Sequence, residues 1–203
     1  MSIPPTNDET DCDQLVEQAK TQGEAFAALY DRYFPRIHRY CQRRLLDCAT
    51  ADDLSSEVFL NIARSIRRFG GTTETDFRRW VYRIATNVIN AHFRKRNRRQ
   101  ALFERAFGRG WWTRAASVDS QTDGHAADQS ENLLLALSTL TMREQTVLTL
   151  RFWEGLSYEE VGQIIEARPE TVRVVASRAI QTLRSKLVSP GSIGAERSEG
   201  RKP

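Results

Sequence analysis

A chain of 203 residues, 40% hydrophobic and 28% charged, is long enough for one ordinary domain or two small ones. No apolar run approaches the roughly 20 residues that span a bilayer, and the polar, acidic start MSIPPTNDETDCDQ excludes a secretion signal, so a cytoplasmic protein without membrane insertion is expected. The net charge of +4 is unevenly spread: Arg and Lys crowd into residues 32–44 and 77–99 while residues 119–131 lean acidic, a distribution that suits an anionic partner.

Residues 1–22 are read as an N-terminal extension. Residues 24–47 then place Phe26, Leu29, Tyr30, Tyr33, Ile37 and Tyr40 at steps of three and four, the period of an amphipathic helix, which Pro35 is expected to bend or interrupt. A second helix is expected from about Thr50, with Asp53 as capping partner at its third position. It buries Leu54, Val58, Ile62 and Ile66 at steps of four and stops at Gly70 and Gly71. The third helix, FRRWVYRIATNVINAHFRKRNRR over residues 77–99, carries eight Lys or Arg and no acid. Phe77, Val81, Ile84, Val88 and Ala91 share one of its faces, and Tyr82, Ile89 and Phe93 form a second apolar strip. What remains is one polar strip, Arg79, Arg83, Thr86, Asn87, Asn90 and Arg94, with Trp80 on its edge.

Periodicity fades over residues 100–130, where Gly108, Gly110, Ser117, Ser120, Gly124 and Ser130 mark a flexible linker that also holds Trp111 and Trp112. Helical spacing returns at Glu131 with Leu133, Leu134, Leu137 and Leu140, then a capping box at Thr141 and Glu144 and the apolar positions Val147, Leu148, Leu150 and Phe152. From residue 189 the tail is too polar and Gly-rich to bury surface and is expected to be disordered. No strand alternation or internal repeat is evident, so the expected fold class is all-α.

Residues 156–187 carry the most specific pattern. Ser157 can cap a helix with Glu160 returning the bond, and Leu156 and Val161 occupy the positions of a hydrophobic staple. That helix runs to about Ile165, and after a turn through Glu166, Ala167 and Arg168, Pro169 fits the first position of the next. Two helices joined so tightly make a helix-turn-helix. In the second, Val172, Ala176, Ala179, Leu183 and Leu187 form the buried face, leaving Arg173, Val174, Ser177, Arg178 and Gln181 outward. In a major groove such a face offers guanidinium forks to guanine or phosphate and a valine surface to thymine methyls.

AFAALYDRYFPRIHRY, DDLSSEVFLNIARSIRRF, FRRWVYRIATNVINAHFRKR, and LTMREQTVLTLRFWEGLSYEEVGQII with PETVRVVASRAI together resemble a bacterial RNA polymerase sigma factor of the sigma-70 family, in its short extracytoplasmic-function (ECF) form. The resemblance implies two small helical domains joined by a flexible linker: a region-2-like bundle over residues 23–99, the linker over 100–130 and a region-4-like helix-turn-helix domain over 131–188. It implies a factor that binds RNA polymerase core enzyme, through the beta-prime clamp and beta flap, and directs promoter-specific initiation. By motif match, Asp53 and Glu57 dock on the clamp. Phe69, Gly70 and Gly71, in the loop to Asp76 that captures a flipped base, and Trp80, Tyr82, Arg83, Asn87 and Arg94 meet the minus-ten element. Arg151, Arg173, Val174, Ser177 and Arg178 meet the minus-35 element. An anti-sigma factor is a further partner of this kind of protein, and Trp111 and Trp112 could meet it, line the polymerase or cover an apolar groove.

Departures from the family's usual pattern are Ser56 where Gln is common, Glu166 where Gly is frequent, Arg168 where a small residue is frequent, and Val174 and Val175 in place of Ser and Arg. The rivals are a helix-turn-helix repressor or activator, which leaves residues 77–99 without a role, and a recombinase or nuclease. The latter would need paired carboxylates, a metal cluster or a nucleophile motif; none is evident, and Cys12, Cys41 and Cys48 contain no C-x-x-C pair while the three histidines lie far apart. No catalytic residue, metal or cofactor is therefore expected.

Overall fold

The computed structural model describes residues 7–45, 47–107, 136–137 and 139–187, and among them every regular element is helical. The first module contains α1 (Asn7–Gln18), α2 (Gly23–Leu45), α3 (Cys48–Ser65) and α4 (Glu74–Phe107). The extension before residue 23 is thus partly helical, and Cys12, Val16 and Ala19 are buried in the module's core. Asp13 also ties the extension down, its carboxylate accepting the backbone N–H of Glu74 at 2.5 Å and so filling an otherwise open donor at the start of α4.

Along α2 the expected face is buried at Leu29, Tyr33, Ile37 and Tyr40. Tyr30 is half exposed, its ring stacked on Phe34 and edge-on to Phe59. Pro35 lies inside α2 without ending it. An internal proline costs about 3 kcal/mol, and the fully buried Tyr33 and Ile37 on either side anchor the helix through it.

The start of α3 corrects the expected cap. Asp47, in extended backbone conformation, accepts from the N–H of Thr50 at 3.1 Å, so the helix begins two residues earlier than expected and Asp53 is not its capping partner. Hydrogen bonds from Thr50 hold the Asp47 carboxyl below the usual carboxylate range. Leu54, Val58, Ile62 and Ile66 are buried as their spacing predicts. The stop comes earlier too: α3 ends at Ser65 and tightens into a 3₁₀ turn, Ile66–Arg68, ahead of the glycines.

Helix α4 is 34 residues long and continues to Phe107, so residues 100–107 are helical. Its start is fixed by Thr73 and Asp76, which exchange hydrogen bonds of 2.8 and 3.1 Å. Phe77, Val81, Tyr82, Val88 and Ile89 are buried, whereas Ala91 is exposed. Thr86, expected on the polar strip, is buried beneath Tyr40.

The second module contains α5 (Met142–Leu148), extended by a π-helical turn over Thr149–Trp153, α6 (Tyr158–Ile165) and α7 (Pro169–Leu187). Both expected capping boxes form, at Thr141 with Glu144 and at Ser157 with Glu160, and Leu156 and Val161 are fully buried as a staple requires. Two apolar positions behave otherwise: Phe152 and Leu187, at 54% and 40% exposure, lie outside the core. The expected helix start over 131–135, Trp111 and Trp112, the rest of the linker and the tail from residue 188 lie outside the described residues.

The modules are not separate beads. Val147, Leu150, Leu156, Val161 and Ile164 belong to the same buried apolar cluster as Tyr33, Tyr40 and Tyr82.

Candidate nucleic-acid interface

The turn between α6 and α7 is built from a close approach and a strained residue. A Cβ on Gly162 would lie 2.6 Å from the carbonyl oxygen of Ala167, so only glycine lets the turn fold back against α6. Glu166 takes the left-handed conformation, φ 55°, that ends α6 and that glycine adopts more readily. Pro169 then opens α7, burying Val172, Ala176 and Ala179 and turning Arg173, Val174, Ser177, Arg178 and Gln181 to solvent.

Within this outward row Arg173 pairs with Glu159 at 3.1 Å and lies 5.4 Å from the ring centre of Tyr158. Arg151 approaches the same ring at 4.9 Å and donates to the carbonyl of Leu156 at 3.2 Å. Tyr158 therefore brings Arg151 and Arg173 together, though in different circumstances: Arg151 is partly buried and braces the segment before α6, whereas Arg173 is exposed. The sequence reading missed Tyr158; its place one residue after the Ser157 cap, on a helix start facing α7, was the available signal.

On α4 the loop and helix residues expected at a minus-ten element separate into two groups. Phe69 stacks on Trp80 with ring centres 4.7 Å apart, meets Phe77 edge-on at 5.9 Å and has Lys20 5.8 Å from its centre. Gly71 lies so close that a Cβ there would come within 2.4 Å of the Phe69 ring, while Gly70 faces open space. Phe69, Gly70, Gly71 and Trp80 thus share one aromatic corner at the α3–α4 turn. The second group faces the other module: Arg83 donates to the backbone carbonyl of Gln163 and Arg79 to its side chain. Asn87 and Arg94 line a cleft of about 600 Å³ between α4 and the second module.

Tyr82, which its spacing places on the second apolar strip and the motif match places at the minus-ten element, lies on the packed side. It is 2% exposed, edge-on to Tyr40 at 5.5 Å, and its hydroxyl donates to Glu154. Burial, reinforced by the Glu154 carboxylate, pushes its pKa far above the ordinary phenol value. With Ile89 on the same strip also fully buried, packing claims this ring.

Asp53 and Glu57 lie one turn apart on α3, both exposed. Beside them Asp52 meets His38 of α2 at 2.5 Å. The intervening Ser56 turns its hydroxyl back onto the carbonyl of Asp52 at 3.0 Å, so it offers a partner less reach than a longer amide would.

A cluster that sequence reasoning did not find joins the modules. Arg44, 3% exposed, donates to Gln145 at 2.8 Å across 101 residues of chain, and Arg43 meets Glu154 at 3.0 Å. Arg78 pairs with Glu160. Burial works against the charge of Arg78, but the carboxylate prevails and its pKa is raised. Glu160, also disfavoured by burial, is held below the usual carboxylate range by the backbone N–H of Ser157 and by Arg78. Nothing local in sequence marks such pairs. No described helix is long and apolar enough to cross a membrane.

Comparison with known proteins covers both modules. Residues 29–99 match the family model for Sigma-70 region 2, and residues 136–185 the model for Sigma-70 region 4. The chain is 33% identical over 175 residues to the ECF RNA polymerase sigma factor BldN of Streptomyces coelicolor, covering 84% of this chain and 63% of that protein. It is 30% identical over 186 residues to the ECF RNA polymerase sigma-E factor of Haemophilus influenzae, covering 86% and 95%. The fold is shared with the sigma factor RpoE of Bartonella quintana, solved in complex with the anti-sigma factor NepR, at a TM-score of 0.64 and 18% identity over 81% of this chain and 98% of that one. With both regions matched in order and a relative aligned over nearly its whole length, this chain belongs to the ECF sigma factors of RNA polymerase, within the sigma-70 family.

Proposed function

We propose that the chain joins RNA polymerase core enzyme in the cytoplasm and directs it to promoters carrying paired minus-35 and minus-ten elements, aiding strand opening without catalysis or cofactor of its own. Asp53 and Glu57 dock on the beta-prime clamp, and the second module docks on the beta flap. Arg173, Val174, Ser177 and Arg178 meet the minus-35 duplex, with Arg151 holding Tyr158 and Arg173 in place. Phe69, Gly70, Gly71 and Trp80 receive an unstacked minus-ten base, and Arg83, Asn87 and Arg94 track the backbone beside it.

The observation that carries this reading is the pairing, in one chain, of an outward cationic row on a doubly capped helix-turn-helix with an aromatic corner next to a basic helix. Duplex recognition needs only the first. Opening a duplex also needs a surface for unstacked bases, where aromatic stacking contributes about 1–3 kcal/mol per base while cations hold the phosphates. The two sigma regions matched in order support the same reading.

An anti-sigma factor is proposed as a further partner, since RpoE of Bartonella quintana is held by one in its solved complex. Run-off transcription with purified core enzyme, on promoters selected from a random library, tests the function. Factor-dependent transcripts are expected; a protein that binds DNA yet never supports initiation would instead be a free-standing repressor or activator.

A further inference from the structure

Helix α1 and the turn after it precede the segment that matches region 2, residues 29–99. They are nonetheless fixed against the aromatic corner of Phe69 and Trp80. Val16 and Ala19 are buried in the core, and Asp13 binds the first turn of α4 at Glu74. The turn itself is closed by the backbone N–H groups of Thr21 and Gln22, which donate to the carbonyl of Gln18 at 3.0 and 2.8 Å. Lys20 leaves this turn toward Phe69, and its ammonium stands 5.8 Å from the ring centre. Only 15% of the Lys20 side chain is exposed, so its stem is packed and its charge is held in one place.

Beside Lys20 a groove of about 670 Å³ lies between the turn and the 3₁₀ segment, lined by Glu17, Gln18, Lys20, Thr21, Gln22 and Arg67. Arg67 is exposed and stands two residues before Phe69. Two cations, two amides and a hydroxyl surround a single acid, Glu17, a lining suited to a phosphate. Glu17 holds the Lys20 ammonium at 2.6 Å, yet its own side chain is 61% exposed. A pair of that kind, three residues apart on an exposed helix end, is weakly held, and a phosphate can take the carboxylate's place while Glu17 turns to water.

We propose that this turn is a further part of the DNA surface: Lys20, with Arg67, grips the backbone phosphate next to the base received at Phe69 and Trp80, and Glu17 is the counter-ion that the phosphate displaces. This contact rests on the minus-ten role of that corner. A base stacked there carries its sugar and phosphate at the rim of the rings, where Lys20 is already held. Gly70, which faces open space on the same loop, leaves room for the strand to pass. Such a contact is blind to sequence: it strengthens the hold on the opened strand without selecting its bases.

The test measures binding of reconstituted holoenzyme, over a range of salt, to a promoter fragment whose minus-ten stretch is unpaired in advance. Lys20→Met keeps the packed stem and removes the charge. It should weaken binding about three- to tenfold and lower the salt slope by about 0.7, the share of one phosphate on a single strand. Arg67→Gln, at an exposed position, should act in the same direction. Glu17→Gln should strengthen binding about twofold, and most of that gain should vanish in a Lys20→Met background, because the carboxylate acts through the lysine. A duplex carrying only the minus-35 element should be bound equally by all. Unchanged binding and slope in Lys20→Met, or a Glu17→Gln gain equal in both backgrounds, overturns the grip and leaves the minus-ten reading standing. Wild-type holoenzyme that binds the unpaired fragment no better than the same fragment fully paired overturns the minus-ten reading and the grip with it.

Discussion

Tyr40 of α2 and Thr86 of α4 share a fully buried hydrogen bond of 2.8 Å. It explains how a threonine in the polar row of the most basic helix comes to face the core: a hydroxyl there is tolerated because another meets it. Tyr40→Phe or Thr86→Val should each leave one buried hydroxyl unsatisfied and destabilise the protein by about 1–3 kcal/mol. The double variant removes both groups and should cost less than the sum of the two. Urea unfolding of the three variants measures this, and strict additivity would mean that the bond contributes nothing.

Gly162 and Gly71 are expected to resist substitution for steric reasons that Gly70 does not share. Gly162→Ala drives a methyl against the carbonyl of Ala167, and Gly71→Ala drives one into Phe69 and Asp76. Each should cost about 1–3 kcal/mol, the usual penalty of overpacking. Gly70→Ala meets nothing and should change the melting temperature little. Thermal unfolding ranks the three, and equal melting temperatures would contradict the close approaches.

Glu166 ends α6 in a left-handed conformation that costs a residue with a Cβ about 1–2 kcal/mol. Glu166→Gly relieves this but gives the unfolded chain more freedom, so a net gain of about 0.5–1 kcal/mol is expected. Differential scanning calorimetry should show a higher melting temperature for the variant; a fall would mean that the Glu166 side chain holds the turn.

Arg178 and Arg173 stand on the same outward row, but Arg173 already has a partner in Glu159. Arg178→Ala should therefore weaken binding of a minus-35 duplex by holoenzyme more than Arg173→Ala. If the Arg178 guanidinium meets a base edge, its removal should cost about 1–3 kcal/mol and relax selectivity at one position. If it meets a phosphate, affinity should fall evenly across sequences and the salt slope should drop by about one. Binding to matched and mismatched duplexes over a range of salt separates these outcomes, and an unchanged Arg178→Ala would remove that residue from the interface.

Trp80 is half-buried against Phe69, a geometry that serves packing and base stacking equally well. If it receives a base, Trp80→Ala in holoenzyme should reduce permanganate reactivity of thymines in the bubble at least several-fold while initial promoter binding changes about twofold at most. A loss of stability with unchanged footprints would assign the ring to packing alone.

Local relations along the chain were legible from residue types alone. The boxes at Thr141 with Glu144 and Ser157 with Glu160 are bonds over three residues, so proximity is guaranteed once the helix forms. The buried rows of α2 and α3 follow from helical spacing in the same way, because burying one apolar stripe is nearly the only way such a helix can pack. The α3 cap was misplaced because several acids and hydroxyls near residue 50 can each accept an N–H, and the backbone angles of Asp47 select among them.

Which surfaces of those helices remain open was not legible. Thr86 lies on the expected polar strip, yet Tyr40, distant along the chain, meets its hydroxyl and decides that it is buried. The arginines opposite Gln145, Glu154, Glu160 and Gln163 look like any solvated basic face until two modules meet. Periodicity reports that a face is polar or apolar; whether its charges meet water, nucleic acid or the chain's own carboxylates depends on contacts between segments about 80 to 110 residues apart, brought together by packing and not by spacing.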